Sequence, residues 1–444
     1  MPSLLIRGGR IIDPASQRDQ TGDLLIADGQ IAAIEVRSGG MGAVHSALHG
    51  DQVFDAEGCI VCPGLVDPHV HLREPSDGRH EETIRSGTAA AINGGFTTVC
   101  CMPNTRPPLD SPELVRFVHD RAAEAALARV FVAACASRGR EGRSVAPIQA
   151  MADAGAVAFT DDGEVIADAV MADVLRLAKQ AGRCVMQHCQ DPAMTLGSSM
   201  NAGPVAERMG QIGWPAEAEE AVIMRDIELN RTIGCHYHAQ HLSSGGSVEL
   251  LRRAQNEGMP VSGEVSPHHL LLTDEACEQL GTVAKMNPPL RTQRDIHMLK
   301  EGVADGTIAV LATDHAPHPA ASKNVPFAQA SFGIVGLDCA LPLYIKALID
   351  DGVIDWPRMI AMMTAEPARL IGLNTRGIGS LRVGLPADVT VIDPSLEWTI
   401  DPTTFASAGR NCPFAGWKVR GRAIAVFVDG AAKLMRLPAR IIPV

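Results

Sequence analysis

Short apolar strands alternate with amphipathic helices through most of the chain, and this alternation constrains the fold more than any other feature. Strands separated by helices form a parallel sheet, and eight such units close into a (β/α)8 barrel of the TIM type. The main alternative, a doubly wound open sheet, normally has a Gly-rich phosphate loop after its first strand, and the sequence has none there. The predicted strands are Cys59–Val66, Thr97–Met102, Val130–Ala134, Val157–Thr160, Cys184–Gln187, His236–Gln240, Val261–Val265 and Ile308–Ala312.

Helix signals lie between these strands. Ser111 can cap the helix that follows it, and Pro112 suits the first helical position because its missing N–H has no partner there. The other helices are predicted from apolar positions that recur with helical spacing. The predicted helices are Glu113–Ala128, Ile166–Gln180, Ala216–Asn230, Ser247–Glu257 and Gln293–Asp305.

Both ends of the chain are rich in strands instead of helices. Leu24–Glu35 predicts a hairpin around Asp28-Gly29, and Val419–Val428 predicts another around Gly421. Because neither end has enough strands to bury one face of a sheet alone, we expect the two ends to join into one small β-sandwich domain. The predicted division is 1–60 with 376–444 for this domain and 61–375 for the barrel.

The net charge of −12 limits the partners of the chain. Nucleic acids require a basic surface, so a polyanion-binding function is excluded. An anionic substrate would instead have to be held by a few placed cations. No apolar run approaches the length of a membrane span, and Met1–Arg10 lacks the apolar segment of a signal peptide. We therefore expect a cytoplasmic protein with no membrane contact.

The 11 cysteines are an odd number without a repeated spacing, which is typical of a reduced chain and not of a disulfide framework. Cys59 and Cys62 form a CxxC pair that could serve redox chemistry or bind zinc. Because they lie in an apolar run and no second pair exists, we interpret them as buried strand residues.

Residues able to bind a metal follow the predicted strands. His69 and His71 are two positions apart on a strand, so both imidazoles point to the same side. Two convergent imidazoles suit a zinc-type ion, although a hydrogen-bonded histidine pair is the alternative. Further strand ends carry Asp161-Asp162, His188, His241 and Asp314, and the combination favours a metal site because Asp is rarely buried unpaired. Asp162 is interpreted as capping or bracing the turn beside Asp161, and the alternative is a shift of one residue that makes Asp162 the ligand instead.

Other histidines are given weaker interpretations. His236 and His238 also form an H-x-H pair, but they lie earlier on their strand, and we interpret them as structural. His268-His269 follow the seventh strand and could be partners of the ligands or loop residues. No role is assigned to the histidines in loops or on helices, which are His45, His49, His119 and His297.

Four segments together resemble the dihydroorotases of the amidohydrolase superfamily, and the similarity is greatest to the longer bacterial type I enzymes. They are Asp67–Pro75, Cys101–Thr105, Lys285–Arg291 and Thr313–His318. The resemblance implies reversible cyclisation of N-carbamoyl-L-aspartate to L-dihydroorotate in pyrimidine biosynthesis. It also implies that Pro319–Gly333 is a mobile loop that closes over the ligand.

The resemblance assigns a role to each matching residue. One or two zinc ions would be held, with Asp161 between the metals and Asp314 also acting as general base and acid. The implied metal ligands are His69, His71, Asp161, His188, His241 and Asp314. The implied substrate-binding residues are Arg73, Asn104 and His318 for the carboxylate and Asn287 for the pyrimidine ring.

Many superfamily members place a carbamylated lysine between their metals, but the first lysine of this chain is Lys179. The fourth strand therefore has no lysine that could be carbamylated, which argues against a hydantoinase or allantoinase. A second alternative is a non-catalytic subunit that supports aspartate transcarbamoylase, but such subunits lose metal ligands. The resemblance leaves a homodimer and a transcarbamoylase assembly open. The loop 76–82 departs from the usual family sequence, so its substrate contacts are not assigned.

Overall fold

The computed structural model describes residues 2–36, 48–79, 81–437 and 440–443, so His45 and His80 lie outside the described residues. The chain begins with five strands. The hairpin predicted around Asp28-Gly29 is confirmed, because the strands on its two sides pair antiparallel. The five strands are β1 (Leu4–Asp13), β2 (Arg18–Ala27), β3 (Gln30–Val36), β4 (Gln52–Asp55) and β5 (Ile60–Pro63).

Eight parallel strands follow and confirm the predicted barrel. The first and last are joined by a parallel bridge between Val70 and His315, and the His71 N–H donates to the His315 carbonyl at 2.9 Å. The barrel strands are β6 (Leu65–Val70), β7 (Phe96–Cys101), β8 (Arg129–Cys135), β9 (Ala156–Thr160), β10 (Cys184–Gln187), β13 (Tyr237–Ala239), β14 (Val261–Val265) and β15 (Val310–Leu311). Between β10 and β13, a small sheet is formed by β11 (Met200–Asn201) and β12 (Gly213–Trp214).

Helices surround the barrel and bury their apolar faces against the strands. The cap predicted at Ser111 forms, since the Ser111 side chain accepts a hydrogen bond from the Leu114 N–H at 3.4 Å. The helices are α1 (Ile84–Gly94), α2 (Pro112–Ala125), α3 (Ile148–Asp153), α4 (Asp168–Gln180), α5 (Pro204–Met209), α6 (Glu217–Asn230), α7 (Gly245–Asn256), α8 (Pro267–Leu271), α9 (Glu275–Leu280), α10 (Gln293–Asp305), α11 (Ala320–Lys323), α12 (Ala340–Tyr344), α13 (Trp356–Met363) and α14 (Ala365–Leu370).

The C-terminal strands return to the N-terminal ones and complete a single mixed sheet. They are β16 (Val389–Thr399), β17 (Lys418–Val428), β18 (Ala431–Met435) and β19 (Ile441–Pro443). The order across the sheet is β18-β17-β16-β5-β1-β2-β3, and β4 pairs with β1 and β19. The strands of the two chain ends therefore share one sheet and one apolar core.

One predicted strand and one predicted hairpin are wrong. Cys59–Val66 is not one strand, because Gly64 separates β5 of the terminal sheet from β6 of the barrel. A Cβ at Gly64 would lie 2.0 Å from the Thr97 hydroxyl, so only glycine allows the chain to pass between the two sheets there. The hairpin around Gly421 is also wrong, because β17 runs through this residue and turns only at Asp429-Gly430.

The structure also tests the predictions about membrane spans and disulfide bonds. None of the helices in the described ranges is long and apolar enough to cross a membrane. All 11 cysteines lie in the described ranges, where they are buried and unpaired. Cys59 and Cys62 are among them, and Cys62 lies on β5 as interpreted, whereas Cys59 immediately precedes this strand.

Candidate active site and metal centre

His69 and His71 lie at the carboxyl end of β6, and the strand geometry explains why their rings share one side. Their ring centroids are 5.4 Å apart, and both side chains are buried. His69 Nδ1 donates to the Glu264 carboxylate at 2.5 Å, and His71 Nδ1 donates to Asn104 Oδ1 at 2.9 Å. Each bond fixes the tautomer, so the lone pair on each Nε2 points into the barrel mouth.

These lone pairs face carboxylates instead of hydrogen-bond donors. His71 Nε2 lies 3.0 Å from Asp314 Oδ1, and His69 Nε2 lies 3.5 Å from both Asp162 and Asp314. His69 Nε2 is buried and has no hydrogen-bond partner among the described residues. Two acceptors this close repel unless a proton or a metal ion lies between them.

His188 and His241 bring a second pair of ring nitrogens to the same point. They follow β10 and β13, and the two rings meet edge to face with His188 Nδ1 2.8 Å from His241 Nε2. His188 Nε2 donates to the Gln190 side-chain oxygen at 2.9 Å, so its Nδ1 carries the lone pair. His241 has a left-handed φ of 32°, which is costly for a residue with a side chain and is typical of functional positions.

The structure corrects the assignment of Asp161, because this residue does not face the cluster. Its Oδ1 accepts the N–H groups of Ala136 and Ser137 at 3.0 Å each, and its Oδ2 accepts the Ser137 hydroxyl. Asp161 therefore ties the end of β9 to the loop after β8. Successive residues of an extended chain point to opposite sides, so the next residue occupies the position expected of Asp161.

Asp162 faces the cluster, contrary to its interpretation as a turn residue. Its carboxylate lies between 3.5 and 3.6 Å from one ring nitrogen of each of four histidines. Burial alone would raise the pKa of Asp162, but the charge of His69 and hydrogen bonds from His188, His241 and His69 hold it well below its usual range. The four histidines are His69, His71, His188 and His241.

This arrangement fits a metal centre. Five of the six predicted ligands converge, with Asp162 in place of Asp161. Two groups of donors lie close enough to share an ion, namely His69, Asp162 and His241, and His69, His71 and Asp314. Imidazole and carboxylate donors suit zinc and related divalent ions.

Glu264 is a functional candidate that the sequence interpretation missed. It lies on β14 with no exposed surface, and its carboxylate accepts from His69, from the His241 N–H at 3.2 Å and from His238 Nε2 at 3.1 Å. His238 also bonds the Ser262 hydroxyl, so it is structural, as interpreted, but it supports this carboxylate. A charged residue inside the apolar run Val261–Val265 was the available signal.

The two histidines after the seventh strand are also placed by the structure. His268 and His269 are buried on α8, and His269 Nε2 donates to the Pro288 carbonyl at 3.1 Å. Burial lowers the pKa of His269 to about 4, so this ring is neutral. Neither histidine belongs to the groups of donors that could share an ion.

A cavity of about 300 Å³ opens above the histidine cluster. All four predicted substrate-binding residues line it, which are Arg73, Asn104, Asn287 and His318. Arg73 has a left-handed φ of 57°, and its Nε donates to the Pro317 carbonyl at 3.3 Å. Asn104 donates to Asp162 Oδ2 at 3.1 Å, which orients its amide.

Pro319–Gly333 packs over one side of the cavity, where Phe332 and Gly333 form part of the wall. Two lysines hold this segment without a carboxylate partner among the described residues. Lys285 Nζ donates to the carbonyls of Phe327 and Ala328 at 2.7 and 3.0 Å. Lys323 Nζ donates to the carbonyls of Thr282 and Lys285 at 3.0 and 3.1 Å. The predicted mobility of the segment stays a prediction.

The loop 76–82 ends in a buried carboxylate. Glu82 accepts the Ser407 hydroxyl at 2.5 Å and the Ala408 N–H at 3.1 Å, and it lies 3.7 Å from His315 Nε2. It therefore joins the loop after β6 to the connection between β16 and β17, beside the segment that follows β15. Glu82 is buried behind the cavity wall and does not line the cavity.

Comparison with known proteins identifies the family. The chain is 43% identical over 402 residues to a dihydroorotase of Geobacillus thermodenitrificans, covering 89% of this chain and 93% of the relative. It is 42% identical over 428 residues to a dihydroorotase of Pelotomaculum thermopropionicum, covering 96% and 97%. The chain belongs to the dihydroorotase family. A family model described as Dihydro-orotase-like also matches residues 58–247, which contain five of the clustered side chains.

Solved structures place this dihydroorotase-family chain among the cyclic amidohydrolases. The L-hydantoinase of Arthrobacter aurescens superposes with a TM-score of 0.85 at 25% identity, covering 98% of this chain and 97% of that one. The dihydropyrimidinase of Brevibacillus agri superposes with a TM-score of 0.83 at 22% identity, covering 98% and 95%, and shows the fold alone. The barrel with an attached sheet is thus shared with these enzymes, whereas the sequence relatives are dihydroorotases.

Proposed function

We propose that this chain is a zinc-dependent dihydroorotase that interconverts N-carbamoyl-L-aspartate and L-dihydroorotate in pyrimidine biosynthesis. The observation that carries the proposal is the convergence of four imidazoles on Asp162 at the floor of a cavity that also contains Arg73. The dihydroorotases that share 39 to 43% identity over nearly the whole chain support it.

The proposed ligands are His69, His71, Asp162, His188, His241 and Asp314, for one or two zinc ions. When bound, zinc supplies a Lewis acid that lowers the pKa of water and polarises the scissile carbonyl. Glu264 and Asn104 hold the ring nitrogens of His69 and His71 that face away from the cluster. These bonds fix the ligand rings before any ion binds.

Asp314 is the proposed general base and acid. It is buried and has a left-handed φ of 46°, so its backbone is held in a costly conformation that aims the side chain into the barrel mouth. In hydrolysis, Asp314 accepts the proton of the attacking water and delivers it to the leaving ring nitrogen. In cyclisation, the same carboxylate removes a proton from the ureido nitrogen as this atom attacks the side-chain carboxyl carbon.

The carboxylate that the ring retains is proposed to bind Arg73, Asn104 and His318. A guanidinium can pair both carboxylate oxygens at once, which compensates for the repulsion of an anion by an acidic protein. Asn287 lines the cavity and donates to the Gln190 side-chain oxygen at 3.1 Å, so its position suits a contact with the ring.

The finer assignments belong to the same proposal. The chain is proposed to be of the type I bacterial form, since no lysine precedes Lys179 and Asp162 occupies the position between the imidazoles. We propose the division into 1–60 with 376–444 and 61–375, a cytoplasmic location, and a homodimer or an assembly with aspartate transcarbamoylase as states to test.

Asp314→Asn tests the function most directly. Because the amide cannot accept the proton, we expect turnover to fall by at least about a hundredfold in both directions while the fold is retained. The assay measures dihydroorotate hydrolysis, carbamoyl aspartate cyclisation and bound zinc on the same samples. Wild-type activity on hydantoin or allantoin but not on dihydroorotate would favour the other cyclic amidases. A wild-type chain that binds no metal and turns over no substrate would favour the scaffold alternative.

A further inference from the structure

Asn411 lies in the connection between β16 and β17, and its side chain bonds the backbone at both ends of the segment Pro319–Gly333. Its Oδ1 accepts the His318 N–H at 3.1 Å, and its Nδ2 donates to the carbonyls of Ala316 and Gly333 at 2.9 Å each. No other side chain of this size offers one acceptor and two donors in this arrangement. One amide therefore holds together the two ends of a segment that forms part of the cavity wall.

The connection that carries Asn411 packs closely against these ends. A Cβ at Gly409 would lie 2.7 Å from side-chain atoms of both Pro317 and Val335, so only glycine fits there. The Asn411 carbonyl also accepts the Val335 N–H at 3.1 Å. Asn411 is only 4% exposed, so water cannot easily replace its side chain as the partner of the backbone groups that it bonds.

The bonds of Asn411 reach the substrate cavity through His318. The His318 ring packs against Gly333, where a Cβ would lie 2.5 Å from the ring Cδ2, and both residues line the cavity. Arg73 Nη2 lies 3.4 Å from His318 Nε2, and Arg73 Nε bonds the Pro317 carbonyl. Asn411 and Arg73 thus hold adjacent parts of one short backbone segment. A shift of this segment would separate the imidazole from the guanidinium that is proposed to share its ligand.

We propose that Asn411 is a positioning residue that places His318 to bind the carboxylate retained by the ring. This inference rests on the proposed function. Carbamoyl aspartate and dihydroorotate both carry this carboxylate, so a displaced His318 should weaken the binding of both compounds. Asn411 is not among the described residues that line the cavity, and none of its hydrogen bonds within the described ranges reaches a proposed metal ligand. The chemical step should therefore be retained without it.

The test measures kcat and KM in both directions for Asn411→Ala. We expect KM for carbamoyl aspartate and KM for dihydroorotate to rise by the same factor, about tenfold, because binding of a group common to both compounds is weakened. The value of kcat should stay within about twofold of the wild type, and zinc content should be unchanged. Equal factors in the two directions also satisfy the fixed equilibrium constant.

Asn230→Ala is the matched control. Asn230 is fully buried at the end of α6, and its side chain also bonds only backbone groups in the described ranges, donating to the Cys235 carbonyl at 2.8 Å and accepting the Cys235 N–H at 2.9 Å. Its loss should destabilise the fold as Asn411→Ala does but leave both KM values unchanged. Asn411→Ser, whose hydroxyl can still make one bond, carries the same test if Asn411→Ala does not fold.

A double variant tests whether Asn411 acts through His318. In a chain that already carries His318→Ala, Asn411→Ala should raise neither KM further, because the group that it positions is gone. If the increases in KM multiply instead, the effect of Asn411 does not pass through His318, and the inference is overturned.

Three other results would also overturn it. The first is a fall of kcat with both KM values unchanged, which would connect Asn411 to the chemical step. The second is an equal rise of KM in Asn230→Ala, which would attribute the effect to general destabilisation. The third is an active wild type with an unaltered Asn411→Ala variant, which rejects this inference alone. If the wild-type chain processes neither compound, the proposed function fails, and the role of Asn411 fails with it.

Discussion

Glu264 offers the sharpest test of how the barrel prepares the metal centre. Its carboxylate accepts three hydrogen bonds, two of which hold His69 and the backbone of His241. Glu264→Gln keeps the shape and one acceptor but removes the charge that strengthens the His69 ligand. Glu264→Leu removes all acceptors and leaves three buried donors without this partner, namely His69 Nδ1, His238 Nε2 and the His241 N–H.

The expected magnitude follows from this difference. Loss of an outer partner of a metal-binding histidine typically weakens metal binding by 10- to 100-fold. We expect about tenfold for Glu264→Gln and about a hundredfold for Glu264→Leu, or roughly 1.4 and 2.7 kcal/mol. Each donor left unpaired in Glu264→Leu should also cost about 1–3 kcal/mol of folding stability.

The assay is competition for zinc with a chromophoric chelator, followed by turnover at saturating zinc. Glu219→Gln serves as the control, because Glu219 is also buried and accepts bonds from Ser243 and Ser244 but is hydrogen-bonded to no imidazole among the described residues. It should bind zinc as the wild type does. If Glu264→Gln and Glu264→Leu also bind zinc with wild-type affinity, the idea that Glu264 orients His69 is refuted.

Two further predictions concern neighbouring pairs. Asp162→Asn should lose zinc and activity, whereas Asp161→Asn should keep zinc but lose about 2 kcal/mol of stability, because charge-assisted hydrogen bonds become neutral ones. Zinc analysis and urea unfolding distinguish the two variants. An equal loss of zinc in both would contradict the assignment of Asp162 in place of Asp161 as the ligand. Burial and Lys285 lower the pKa of Lys323 from its usual 10.5 to about 7. Between pH 7 and 10 the unfolded chain then binds more protons than the folded one, so the free energy of unfolding of the wild type should rise with pH relative to that of Lys323→Met. Denaturant unfolding at several pH values measures this. If the two proteins show parallel pH profiles of stability, the lowered pKa of Lys323 is rejected.

The sequence predicted the barrel because strand and helix periodicities are local properties of the chain. The bounds of β10, β14 and α10 match the predictions. The prediction of one strand over Cys59–Val66 was wrong, because an apolar run indicates that residues are buried but not which sheet buries them. The need for glycine at position 64, between the two sheets, is explained only by the tertiary structure, which places Thr97 where a Cβ would lie.

Within the site, local sequence determined the convergence of His69 and His71, since alternate residues of a strand share a side. Arg73 and Asn104 were named from motifs and line the cavity, and their contacts with substrate stay a prediction. The choice between Asp161 and Asp162 needed tertiary structure, because one residue of shift at the end of β9 reverses the side that faces the barrel mouth. Glu264 and Asn411 also needed it, since their partners are distant in the chain.

By itself, the sequence determined the class of fold, the family and most of the donor set, because these depend on periodicity and on residue types within short segments. The tertiary structure decided which carboxylate lies among the imidazoles and which buried acid holds His69. These facts depend on closure of the barrel, which brings the ends of β6, β8, β9 and β14 within a few ångströms although they are far apart in sequence.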